Sequence, residues 1–109
     1  MTTITITKSQ NGNYKQMTCS GHAGYADAGE DIVCAAISML VINTINSLEA
    51  LTDTKMQVHT AEESGTIDLK FQEDLSSDGR LLMDSLVLGL KSVVKQYGRQ
   101  YVKLKFKEV

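Results

Sequence analysis

The 109 residues leave room for one hydrophobic core and none for a separate regulatory domain, so any site must be shared with the scaffold. A hydrophobic fraction of 42% with 22% charged residues excludes disordered and fibrous classes. The formal net charge is −2, and the one basic run is the comb Lys103, Lys105, Lys107, so direct nucleic-acid binding has little electrostatic support and a protein or peptide partner is expected.

Thr2 to Lys8 alternates isoleucine with threonine, the period of a half-buried strand, and contains no apolar core of the kind a secretory signal needs. A cytoplasmic location is therefore expected, with Cys19 and Cys34 as free thiols. Asn11-Gly12-Asn13 is a turn signal, and Tyr14 to Cys19 returns as the second strand of a hairpin. Gly21, Gly24 and Gly29 then punctuate a loop that could serve as a lid.

From Asp31 to Leu51 the apolar positions Val33, Ile37, Leu40, Val41, Leu48 and Leu51 follow helical spacing, with Asp31 suited to the N-cap. Ile32, Met39, Ile42 and Ile45 fall outside that stripe. The surplus calls for burial against a second helix, a second subunit or both. The apolar stretch Ile32 to Ile42, interrupted by Cys34 and Ser38, is too short to span a bilayer, so no membrane role is expected.

Lys55 to Thr60 and Thr66 to Phe71 form a second strand pair, whose inner face should point at the helices. Ser76-Ser77-Asp78 offers caps for a second helix, striped by Leu82, Leu86, Leu90, Val93 and Tyr97 and ending at Gly98. Gln100 to Lys107 supplies a last strand, its lysines suiting a solvated face or a protected edge. The order is ββαββαβ over one domain, residues 1–109. It implies an α+β fold, a mostly antiparallel sheet with two helices packed on one face.

The chemistry concentrates between Gly21 and Cys34. With Asp31 as N-cap, Cys34 would be the third helical residue, where unpaired N–H groups and the helix dipole favour a thiolate and could receive an oxyanion. His22, on the loop before, can act as base and then as acid to the leaving amine. Asp31 can cap the helix or orient the His22 ring, and Ser38, one turn beyond Cys34, could polarise a carbonyl. Against this stands Cys34 as a small buried hydrophobe. A zinc set of Cys19, His22, Cys34 and His59 has spacing that matches no common finger, so neither metal nor other cofactor is expected. Cys19 and His59 read as strand residues.

Gly21-His22-Ala23-Gly24, Gly29-Glu30-Asp31-Ile32-Val33-Cys34-Ala35-Ala36 and the element order together resemble the ribosomal-processing cysteine protease Prp family. The resemblance spans the chain. It implies a homodimeric cytoplasmic endopeptidase that removes the N-terminal extension of the large-subunit ribosomal protein numbered twenty-seven, with catalytic roles on His22 and Cys34. The residues alone leave open a non-catalytic ribosome-assembly module and a Cys-His amidase or acyltransferase.

Overall fold

The computed structural model describes residues 1–21, 28–61 and 65–109, and for 28–31 the backbone alone. Among the described residues the elements are β1 (Thr2–Lys8), β2 (Tyr14–Ser20), α1 (Ala28–Leu51), β3 (Met56–Ala61), β4 (Thr66–Phe71), α2 (Ser77–Tyr97) and β5 (Val102–Glu108).

The five strands form one sheet in the order β3-β4-β2-β1-β5. Its pairings are antiparallel except β1 with β5, which is parallel because α2 carries the chain from β4 across β2 and β1 to the far edge. The α1 crossover runs the opposite way, from β2 over β4 to β3, and starts from a strand of opposite sense. Right-handed crossovers of that kind put both helices on one face.

Alternation in the strands fills the space between. Ile4, Ile6, Met17, Cys19, Leu69 and Val102 point at the helices and are buried with Val33, Ile37, Val41 and Leu48 of α1 and Met83, Leu86 and Leu90 of α2. The other face carries Thr3, Thr5, Thr7, Gln16, Thr18 and the lysine comb. There Asp68 accepts hydrogen bonds from Gln16 Nε2 at 2.8 Å and Thr18 Oγ1 at 3.0 Å. The hairpin closes as expected at Gly12, whose φ of +83° requires glycine and whose N–H donates to the Ser9 carbonyl.

Three details depart from the sequence reading. Helix α1 begins at Ala28, so Asp31 lies inside its opening turn and not at its N-cap, and Cys34 is the seventh helical residue. Strand β3 is the sheet edge and largely solvated: Val58 shares the helix-facing register of Leu69 yet is 43% exposed, because α1 does not reach far enough to cover it. Finally, Ile32–Leu51, 20 residues with mean hydropathy 1.6, is long and apolar enough to cross a membrane by length and composition, a longer run than Ile32 to Ile42. Its inward residues are nevertheless part of the core, as expected of a greasy helix lying on a sheet.

Candidate active site

Cys34 sits on the flank of α1 that faces β4 and β3, half-buried and not bonded to Cys19. It opens into a cavity of about 300 Å³ between the first half of α1 and the end of the sheet. Ile37 and Ser38 complete the helical wall, Cys19 and Ile67 form the floor, and Thr60, Ala61 and Thr66 supply the strand wall. Gly21 and Thr2 close the end nearest the loop.

Sequence spacing foresaw Cys34, Gly21 and Ser38 in one place, and the structure brings them together. It did not foresee Thr2, Thr60, Ala61 or Thr66, because only the crossing of α1 over β4 carries the end of β3 to the helix. Cys19, read as core, is both core and cavity floor: burial, then the charge of Cys34, pushes its thiol up to about 11. An acidic group that must shed its hydration shell to ionise keeps its proton. Cys19 is therefore no competitor to Cys34 as nucleophile at neutral pH.

His22 and the side chain of Asp31 lie outside the described residues, as does the part of the expected Gly21–Glu30 lid at 22–27, while its last stretch, with Gly29, belongs to the opening turn of α1 and not to a loop. The unpaired amides of α1 belong to the turn before Cys34. Since dipole effects fade beyond that turn, the helix end contributes less at Cys34 than placement at the third position implied. The zinc set loses a member to geometry. His59 pairs with Asp68 on the open face of the sheet, whereas Cys19 points to the helices, so the two cannot share an ion.

A family model described as Cysteine protease Prp matches residues 1–103. The chain belongs to that family. It is thus a cysteine protease by family, and it carries a half-buried thiol on an open cavity. The Ribosomal processing cysteine protease Prp of Bacillus subtilis (strain 168) is 26% identical, over 89% of this chain and 90% of its own. The crystal structure of the Staphylococcus aureus Prp in complex with a substrate peptide superposes with a TM-score of 0.91 at 21% identity, covering 98% of this chain and 100% of the other. A second Staphylococcus aureus Prp structure, with a covalently linked product peptide, gives a TM-score of 0.88 at 22% identity over the same shares. These two likenesses establish the shared Prp fold: five strands, two helices and the same element order.

Proposed function

We propose that this chain is an endopeptidase that removes the N-terminal extension of the large-subunit ribosomal protein numbered twenty-seven, through a Cys34–His22 dyad. The observation that carries this reading is the Cys34 thiol on the wall of an open, apolar-floored cavity in a chain of the Prp family. The relatives' description as ribosomal processing proteases supports the substrate class.

In this mechanism His22 takes the Cys34 proton, and the thiolate attacks the scissile carbonyl to form a tetrahedral intermediate. Collapse expels the new N-terminus of the ribosomal protein, which receives the proton from His22 and leaves the extension as a thioester on Cys34. His22 then deprotonates water, which releases the extension as a free acid. Asp31 orients the imidazole, Ser38 donates toward the reacting carbonyl from one turn along the cavity wall, and Gly21 lets the chain turn beside Met1 into the His22 loop. No metal or other cofactor takes part.

The protein acts in the cytoplasm as a homodimer. Support for the dimer comes from the outer face of α1, where Ile32, Ala35, Met39 and Ile42 repeat at helical spacing in solvent, and from Leu81 and Leu88 of α2, which are exposed as well. The test is to replace Cys34 and His22 separately with alanine and follow cleavage of the precursor. Each variant should keep its melting temperature and lose at least about a thousandfold in rate, as removal of a nucleophile or its base does elsewhere. Cleavage at the normal rate by Cys34→Ala would refute it.

A further inference from the structure

Both cysteines of the chain line the same cavity. Cys34 is half-buried on its helical wall, and Cys19, only 5% exposed, is a free thiol in its floor. Peptide cleavage uses the first sulfur and gives the second no part.

The topology makes this pairing. Cys19 lies at the end of β2, flanked by Ile4 of β1 and Ile67 of β4, and faces the helices from inside the sheet. The first half of α1 returns over that end of the sheet and brings Cys34 to the cavity wall. The charge of Cys34 is felt at Cys19, where it helps burial to hold the proton. What reaches the two thiols differs. A peroxide oxidises a thiolate, and Cys34 meets solvent through the cavity, whereas Cys19 is shielded and stays protonated at neutral pH. Oxidant therefore arrives at Cys34, and Cys19 is the other sulfur beside it.

We propose that Cys19 is the resolving cysteine of a reversible redox switch: a peroxide oxidises Cys34, and Cys19 captures it as a Cys19–Cys34 disulfide that blocks the nucleophile. The Cys34 thiolate attacks one peroxide oxygen, the O–O bond breaks, and the second oxygen leaves as hydroxide, which takes a proton from solvent to become water. Cys34 is left as the sulfenic acid. The Cys19 sulfur then attacks the Cys34 sulfur, the S–O bond breaks, and the departing hydroxide takes the Cys19 proton as a second water. The two sulfurs have together given two electrons to one peroxide. A dithiol reductant reverses the outcome, restoring both thiols and ending as a cyclic disulfide. Without Cys19 the sulfenic acid stays open to further peroxide and passes to the sulfinic acid, which thiols do not reduce. A disulfide holds its Cα atoms about 4.4–6.8 Å apart, so the bond also pins the Cys34 turn of α1 against β2. The effect on activity rests on the proteolytic reading, and the bond itself does not.

The experiment treats the reduced, full-length protein with a small excess of hydrogen peroxide, blocks remaining thiols with iodoacetamide in denaturant, and digests without reductant. Cleavage must be at glutamate: Glu30 separates the two cysteines, whereas no lysine or arginine lies between Lys15 and Lys55. The expected product is Met1–Glu30 joined to Asp31–Glu49, lighter by two hydrogens than the reduced pair and alkylated at neither cysteine. Cleavage of the ribosomal precursor should fall about tenfold or more on oxidation and return to about four-fifths or more of the untreated rate after dithiothreitol. Cys19→Ala should instead gain two oxygens on Cys34 and recover about one-fifth or less of its own untreated rate.

A parent protein in which Cys34 becomes the sulfinic acid while Cys19 is alkylated would overturn the inference, as would a disulfide joining two chains, seen as a doubled mass without reductant. Both are read on the parent and decide the matter whether or not Cys19→Ala folds. The two readings fail separately. A Cys19–Cys34 bond in a protein that cleaves no precursor when reduced would sink the proteolysis and spare the switch chemistry, and normal cleavage with no such bond after peroxide would do the reverse.

Discussion

Gly21→Ala should damage both the fold and the site. Gly21 has a φ of +86°, and a Cβ there would stand 2.5 Å from the Met1 carbonyl oxygen and 3.6 Å from its carbon. Neither atom is the free end of a flexible side chain. The next residue, Thr2, is fixed by its N–H donating to the Tyr101 carbonyl at 3.1 Å, and Thr3 pairs with Ser20 immediately before Gly21. The positive φ alone costs an L-residue about 1–2 kcal/mol. Relieving the contact by splaying β1 from β2 forfeits the final rung of the hairpin, about 1 kcal/mol more. The sum of about 2–3 kcal/mol corresponds to a fall in Tm of about 10–15 °C for a domain of this size. Because Gly21 lines the Cys34 cavity and immediately precedes His22, kcat/KM should also drop at temperatures well below the variant's melt. Calorimetry and a peptide assay on the same preparation measure both. A variant that melts within about 2 °C of the parent, with unchanged kcat/KM, would refute the argument from backbone geometry.

Iodoacetamide at neutral pH should add one label per chain, mapped to Cys34, while Cys19 stays unmodified, because burial holds the Cys19 thiol near 11. Equal labelling would contradict the assignment of nucleophile. The raised Cys19 value also ties stability to alkaline pH. A folded-state pKa above the unfolded one stabilises fully below about 8.5 and loses that contribution as pH climbs to about 11. Denaturation curves at stepped pH should therefore fall less steeply across that window in Cys19→Ala than in the parent. Ser76→Ala should lower stability by about 1 kcal/mol, since the Ser76 hydroxyl accepts from the Gly79 N–H at 3.2 Å as the N-cap of α2. A thermal melt reads it directly.

Much of this architecture could be read from the chain because its signals are local. The Thr-Ile alternation of β1, the Asn-Gly turn and the serine cap of α2 each specify their own element, and Thr2–Lys8 and Thr66–Phe71 fall where their patterns put them. The start of α1 departs from its cap signal for an equally local reason. Asp31 is a good cap residue, but alanine and glycine at 28 and 29 can be helical too, and tertiary context set the boundary three residues earlier. Gly21, Cys34 and Ser38 were legible as a cluster because they are neighbours in sequence or on one helix. The strand wall of the cavity was not, since Thr60, Ala61 and Thr66 reach it only through the order β3-β4-β2. The exposure of Val58 likewise depends on how far a helix extends over the sheet, which periodicity does not encode, whereas the apolar surplus of α1 at Ile32, Met39 and Ile42 is legible in its spacing.

The central claim is that the Cys34 sulfur forms the thioester. Rapid acid quench of the protein with its ribosomal precursor, followed by intact mass and peptide mapping, tests it most directly. The predicted result is a transient gain equal to the mass of the cleaved N-terminal extension, carried on Cys34 and absent from Cys34→Ala. Cleavage of the precursor with that gain on another residue, or by the alanine variant itself, would contradict it.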